Sequence, residues 1–491
     1  MWRRIRKTMM KTTDFIALIS KFTVGSPAFE KDENLEKITA DSREVVPGSI
    51  FFCVKGLSSD GHDFIDQAFE KGAALVVGEK ECGRKNYIRV RSVKEALKEI
   101  LPAFYGEPDR KMKMIGVTGT NGKTSTTFII ENILKDDMSC GVIGTLNYKY
   151  AGKLITAQNT TPLNWKWYSL LDDMEKSGVE AVISEVSSHA LEENRIEKTM
   201  FDAAIFTNLT RDHLDFHKTF ENYYQAKKKL FTEHLKSGGT AVINIDDEAG
   251  KRLSEELADV KQIRISEKDK SAELFMKIEK MSDHGSEVIF TSGGISKKVT
   301  IPLVGNFNIY NTAGAFAAAS LIIGTEAAFE RIGNSVSVPG RLEKVGKHAV
   351  YIDYAHTPDA MENVLVTLRK LGIYEKIIIV FGAGGDRDSG KRPIMGETAC
   401  RLADRIIVTD DNPRSEDPGK IIRDILAGCP EDADVTVVND RAEAIRKAIE
   451  IKGEKDVVLI AGKGAENYQI TKAGKKFFSD KLEAEKSLGE G

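Results

Sequence analysis

The chain contains no apolar run of about 18 residues, so no transmembrane helix is expected from it. Cysteine is scarce. Cys53, Cys82, Cys140, Cys400 and Cys429 are scattered, odd in number and form no Cys-x-x-Cys pair. That argues against a disulfide frame or a zinc site and for reduced thiols in a cytoplasmic protein. Neither sign of charge dominates: 71 Lys and Arg stand against 74 Asp and Glu, for a net charge of -3. There is no global basic excess to suggest nucleic acid and no acidic tail to suggest disorder. Fixed-period repeats and low-complexity tracts are also missing. The first residues are basic (Arg3, Arg4, Arg6, Lys7, Lys11) and imitate the start of a signal peptide. The next stretch carries Asp14 and Lys21 where an apolar core would lie, and no small-residue cleavage site follows. Met9 or Met10 is an alternative start. The reading is a cytoplasmic chain without membrane insertion, monomeric by default.

What is present is the material for several cores. The 491 residues are 41% hydrophobic and 30% charged, which at ~150 residues per domain suggests about three domains. The expected class is α/β. Residues 1–110 form a small α/β domain with strand-like runs Ser49–Val54, Ala73–Val77 and Tyr87–Val90. These are separated by turns such as Gly56-Leu57-Ser58-Ser59-Asp60-Gly61, and Glu107-Pro108-Asp109 reads as a linker. Residues 111–338 alternate strands and helices, implying a parallel sheet of phosphate-loop type. The strands are Met114–Val117, Ala181–Ile183, Ala203–Phe206 and Thr240–Ile245, and the helices are Thr124–Leu134 and Asn311–Ile323. Alternating runs within Ile263–Val304 suggest antiparallel strands. Residues 339–491 read as a Rossmann-like doubly wound unit. Its strands are Ala349–Asp353, Ile377–Phe381, Arg405–Thr409, Val435–Val438 and Val457–Ala461. Helices Arg392–Leu402, Pro418–Ala427 and Arg441–Ile451 lie between them.

The strongest local signal is Gly116-Val117-Thr118-Gly119-Thr120-Asn121-Gly122-Lys123-Thr124, followed by Ser125. It lies between a strand and a helix. Glycines let backbone N–H groups turn toward phosphates, Lys123 can reach the β and γ oxygens, and the Thr124 hydroxyl can ligate Mg²⁺. The strict G-x-x-x-x-G-K-[ST] spacing fails at Val117. Alone, the loop says only that a nucleoside triphosphate binds, so kinases, switches and motors stay open. Two later strands end in Ser184-Glu185-Val186-Ser187-Ser188-His189 and Asn208-Leu209-Thr210-Arg211-Asp212-His213. An acid at the carboxyl end of a strand beside a phosphate loop suits Mg²⁺.

Together with Asn306–Asn311, Asp353–Asp359, Gly384–Pro393 and Asp41-Ser42-Arg43, these segments resemble the Mur ligase family of cell-wall enzymes, and most closely its third-amino-acid-adding branch. The resemblance runs to Gly462-Lys463-Gly464. It implies that the γ-phosphate of ATP activates the D-glutamate carboxylate of UDP-N-acetylmuramoyl-L-Ala-D-Glu, and that an amine then displaces phosphate. It assigns Lys123, Glu185, His213 and a carbamylated Lys227 to catalysis, with Thr124, Glu185, His213 and Lys227 around Mg²⁺. Residues alone read Lys227-Lys228-Lys229 as a solvated basic face. The resemblance further places ATP against Gly119, Thr120, Asn121, Gly122, Lys123, Thr124, Ser125, Asn308, Asn311, Arg341, Asp353 and His356. This is a site completed only when domains move together.

For the sugar nucleotide the resemblance implies Ser42, Asn159, Thr160, Thr161, Ser187, Glu193 and Arg195. Glu193 stands where close relatives commonly carry glutamine, which adds an unexpected negative charge. For the amino acid it implies Arg387, Asp411, Asn412, Pro413, Arg414, Gly462 and Glu466. Ala465 stands where relatives often have histidine. Arg414 points to meso-diaminopimelate: a guanidinium grips a distal carboxylate that L-lysine lacks, and Glu466 is available for the distal ammonium. The alternatives are an L-lysine-adding relative, a folylpolyglutamate synthase, a phosphate-loop kinase and a non-catalytic nucleotide-binding scaffold.

Overall fold

The computed structural model describes residues 10–56, 59–334 and 337–489. The basic residues before Met10 and the Leu57-Ser58 step of the first-domain turn lie outside them.

Four parallel strands open the fold in sequential order: Lys37–Thr39, Ser49–Phe52, Leu75–Gly78 and Tyr87–Arg89. Alternate residues feed opposite faces. Ile50 and Phe52 join one core, while Phe51 joins another with Val76 and Ala68. This explains why the run is apolar throughout rather than alternating. The helix Val93–Tyr105 closes the unit, capped at its start by the Ser92 hydroxyl, which accepts from the Glu95 N–H at 3.3 Å. The Glu107–Asp109 segment, read as a linker, is instead anchored. Pro108–Arg110 forms one 3₁₀ turn, and the buried Asp109 carboxylate accepts the Met200 N–H at 3.3 Å.

Among the described residues the central sheet has 11 strands. Lys113–Thr118 lies between Ala181–Glu185 and Phe201–Phe206, parallel to both. The chain passes outward from it on both sides, so strand order reverses there. A crevice opens at the carboxyl ends of these three strands, where α/β sheets bind ligands. The register sets Val117 against Glu185 and Thr118 against Phe206. Antiparallel strands Gly285–Ser292 and Ile295–Ile301 extend one edge as the alternating pattern suggests, while Gln262–Ser266 and Leu274–Ser282 pair in parallel. The other edge carries a meander, Cys140–Ile143, Asn147–Tyr150 and Lys153–Thr156, that sequence reasoning did not find.

The third sheet orders Glu343–Lys344, Val350–Asp353, Val457–Ala461, Ile377–Phe381, Arg405–Val408 and Val435–Val437, parallel except at the first pair, and a two-stranded antiparallel sheet of Tyr468–Thr471 and Gly474–Phe477 follows it. Every residue of Ile377–Phe381 is buried because helices cover both faces. The loops holding Tyr354–His356, Gly384–Arg387, Asp410–Arg414 and Gly462–Glu466 all leave carboxyl ends of this sheet and gather on one side.

Candidate active site at the domain junction

Gly119 and Gly122 have φ of +146° and +86°, conformations that a side chain would strain. They bend the chain from Thr118 into the helix Lys123–Leu134. The loop is braced by Asn208: its carbonyl accepts from the Thr120 N–H at 2.9 Å and its side-chain oxygen from the Asn121 N–H at 2.9 Å. Lys123 Nζ donates to the Gly119 and Thr120 carbonyls at 3.0 and 2.8 Å. The Thr124 hydroxyl donates to Glu185 Oε1 at 3.0 Å, and Arg341, from the third sheet's unit, donates to the same hydroxyl at 3.0 Å.

Glu185 is buried and fixed on both oxygens. Oε1 accepts the Thr145 N–H at 2.8 Å and Oε2 the Thr145 hydroxyl at 3.0 Å. His213 takes a left-handed backbone, φ +53°, beside Asp212 at 3.3 Å, and its ring meets His189 edge-on at 4.7 Å. Burial lowers its proton affinity below the ordinary imidazole value.

Lys227 is 1% exposed, although Lys228 and Lys229 beside it pair with Glu256 and Glu192 at the surface. Its Nζ donates to the Gly119 carbonyl at 2.7 Å and lies 4.5 Å from the centre of the Tyr223 ring. Burial, with repulsion from Lys123, brings its pKa well below that of an ordinary lysine.

A cavity of about 800 Å³ gathers Thr120–Ser125, Thr160, Glu185, Ser187, His213, Asn311, Arg341, Asp353 and His356. Asp353 accepts the Leu342 and Ala355 N–H groups at 2.6 and 2.7 Å, and burial pushes its carboxyl up to about 6. His356 leans on the Tyr354 carbonyl at 2.8 Å and is pushed down to about 4 by burial. Asn308 turns away from the cavity. It donates to the Val304 carbonyl at 2.8 Å and accepts from Asn311 at 3.2 Å, so it holds Asn311 in place. Asp359 ends the motif begun by Asp353, a segment the sequence offers without a separate role for this carboxylate. Its carboxylate accepts the Asn121 amide at 2.8 Å and the Thr210 hydroxyl at 3.0 Å, joining the third unit to the phosphate loop. Thr145 had no sequence signal.

The other predicted residues divide. Asn159 lines a small cleft of about 90 Å³ with Asp41, Tyr148 and Lys166. Ser42 is buried nearby, its carbonyl accepting Lys71 at 3.0 Å. Thr161 is buried and donates to the Glu185 carbonyl at 2.8 Å. The added charge of Glu193 is met within the chain, because its carboxylate takes Arg195 Nε and Nη2 at 2.7 and 2.6 Å. In the third unit, Asp411 and Asn412 are buried and Gly462 lies against Asp411, where a side chain would strike the carboxylate. Asn412 donates to Glu466 at 3.0 Å, and Arg414 reaches the Gly385 carbonyl at 2.6 Å past Pro413. Arg387 is exposed beside this group.

Residues 34–105 match the Mur ligase family catalytic domain, 117–319 the Mur ligase middle domain and 340–464 the Mur ligase glutamate ligase domain. A protein of Aquifex aeolicus named UDP-N-acetylmuramoyl-L-alanyl-D-glutamate–2,6-diaminopimelate ligase is 43% identical over 462 residues, covering 93% of this chain and 94% of that protein. The chain belongs to the Mur ligase family. A ligase of the same name from Fusobacterium nucleatum is 42% identical, over 93% of this chain and 96% of its own length. A solved Mur ligase structure of that name superposes with a TM-score of 0.67 at 31% identity, covering 98% of this chain and 99% of that one. The match of the first sheet to the family's own domain argues against the kinase and folylpolyglutamate synthase readings. Mur ligases are ATP-dependent, and the large cavity gathers the phosphate loop with Arg341, Asp353 and His356.

Proposed function

We propose that this chain is the cytoplasmic, monomeric ligase that joins meso-2,6-diaminopimelate to UDP-N-acetylmuramoyl-L-Ala-D-Glu, forming ADP and phosphate in peptidoglycan precursor synthesis. Residues 1–110 serve the sugar nucleotide, 111–338 ATP and 339–491 the amino acid. The observation that carries this reading is the full-length likeness to ligases of that name, together with a cluster of Arg414, Asn412 and Glu466 on the ATP side of the third sheet.

A carboxylate is a poor electrophile, so activation must supply a leaving group. A carboxylate oxygen attacks the γ-phosphorus, the bond to the β-bridging oxygen breaks, and ADP leaves. The amine nitrogen then attacks the acyl carbon, the C–O bond to phosphate breaks, and the nitrogen loses a proton. Lys123 and Arg341 flank the loop where charge moves between phosphate oxygens. Thr124 and Glu185 fit Mg²⁺, since a hydroxyl and a carboxylate oxygen lie 3.0 Å apart at the cavity wall, and His213 lines the same cavity. No cage of three or more His, Cys, Asp or Glu side chains occurs among the described residues, so phosphates and water would have to complete the ion's shell. When bound, Mg²⁺ would offset charge on those phosphate oxygens. Lys227 as an ammonium offers only donors and no ligand to a metal. Its lowered pKa favours the neutral form, whose nitrogen can bond to CO₂ carbon with loss of a proton, giving a carbamate anion able to take part in the metal site.

The test is isotopic. With ¹⁸O in the reacting D-glutamate carboxylate, one label must appear in released phosphate and the remainder in the tripeptide product. Unlabelled phosphate contradicts the acyl phosphate.

A further inference from the structure

The third unit buries a cation that neither the phosphate chemistry nor the residues above account for. Lys463 is 0% exposed, on the turn after Val457–Ala461. Its Nζ donates to Glu466 Oε2 at 3.2 Å and to Asn412 Oδ1 at 3.3 Å. Glu466 Oε2 also accepts the Asn412 amide at 3.0 Å, and Oε1 accepts the Tyr354 hydroxyl at 3.5 Å. Asn412 in turn accepts the Ile470 N–H at 2.9 Å, while Arg414 N–H donates to the Ile470 carbonyl at 3.1 Å. One ammonium thus closes a triangle with the Asn412 and Glu466 side chains. A buried cation persists only where such partners balance its desolvation.

Resting on the function proposed above, we infer that Lys463 is a positioning and specificity-determining residue of the amino-acid pocket. It fixes the rotamers of Glu466 and Asn412, and it biases the pocket's charge. Glu466 already faces one ammonium, Arg414 and Arg387 add two guanidinium groups nearby, and the buried Asp411 carboxylate against Gly462 adds one negative charge, so three cations face two carboxylates. An acceptor whose distal end carries an ammonium and a carboxylate together brings no net charge to this place. An acceptor with a distal ammonium alone adds a positive charge next to Lys463, without a carboxylate to offset it. Lys463 therefore discriminates against lysine by repulsion, where Arg414 discriminates by attraction.

Steady-state kinetics of Lys463→Met test this, with meso-diaminopimelate and L-lysine as acceptors and ATP varied separately. Wild type must first prefer meso-diaminopimelate; if it does not, the functional reading fails rather than this inference. Given that preference, the variant is expected to raise KM for meso-diaminopimelate about tenfold with KM for ATP unchanged. The kcat/KM ratio of meso-diaminopimelate to lysine should fall about tenfold. In a Glu466→Gln background the added effect of Lys463→Met on KM should shrink to less than about twofold, because the lysine acts through that carboxylate. An unchanged acceptor ratio, additive effects in the double variant, or equal loss for ATP and both acceptors overturns the proposal. Lys463→Gln, which keeps a donor without the charge, replaces the methionine variant if that one fails to fold. The ratio must move in the same direction, and an unmoved ratio is again a contradiction.

Discussion

At the level of single residues the site divides into groups whose role is local and groups whose role depends on distant chain. The phosphate loop is of the first kind. Glycines before a lysine and a threonine, between strand and helix, admit few other uses, so it was legible. Lys227 is of the second kind. In a run of three lysines on one helix, nothing local separates the buried one from its neighbours, and the resemblance alone singled it out. Packing against Tyr223 and Gly119 makes the difference. Lys227→Ala is expected to lower kcat by at least about 10³-fold, with partial recovery on adding short carboxylic acids that stand in for a carbamate. Full activity in the variant removes Lys227 from the chemistry. Arg414→Ala should lower kcat/KM for meso-diaminopimelate about 30-fold or more and leave KM for ATP within about twofold. Equal losses would mean that the pocket lies elsewhere.

Elements show where local pattern runs out. The helix read as Asn311–Ile323 begins at Asn306, because Asn308 satisfies the Val304 carbonyl through its side chain and so holds the first turn. The Cys140–Thr156 meander escaped notice because its strands are four residues each and partly exposed, with glycines between them. The loop after Ser188–Glu192 escaped for another reason. Asn194 and Glu197 take left-handed conformations, φ +53° and +44°, on either side of Arg195. No periodic signal marks such a loop. Glu197 is buried there. It accepts Asn164 at 2.8 Å on one oxygen, and its other oxygen has no hydrogen-bond partner among the described residues. Burial pushes its carboxyl from an ordinary 4.5 up to about 7, against the opposing pull of Asn164, Lys98 and Lys94. The folded state therefore holds a proton that the unfolded chain releases. The favourable contribution is complete below 4.5, declines as pH rises, and is lost above about 7. Glu197→Gln should leave stability at pH 4 nearly unchanged and raise it at pH 8 by on the order of 2–3 kcal/mol relative to wild type. Parallel denaturation curves with no pH-dependent gap would contradict this.

For the whole molecule, the decisive feature is that three sheets turn their loops toward common clefts. The alternation of strands and helices announced the two larger sheets, since buried parallel strands read as continuous apolar runs. It did not announce how the units meet. That depends on contacts between residues more than two hundred positions apart, such as Arg341 with Thr124 and Asp359 with Asn121. Asp359 ties the third unit to the phosphate loop, so Asp359→Ala should raise KM for ATP about tenfold while the melting temperature moves by less than about 4 °C. An unchanged KM would make the contact incidental to nucleotide binding. In the proposed reaction ATP, sugar nucleotide and diamino acid meet in one site. The most direct measurement is phosphate release by purified protein with Mg-ATP and UDP-N-acetylmuramoyl-L-Ala-D-Glu, adding meso-diaminopimelate or L-lysine in parallel. Release that requires the sugar nucleotide and strongly prefers meso-diaminopimelate is the predicted result; release preferring lysine, or none with either acceptor, would contradict it.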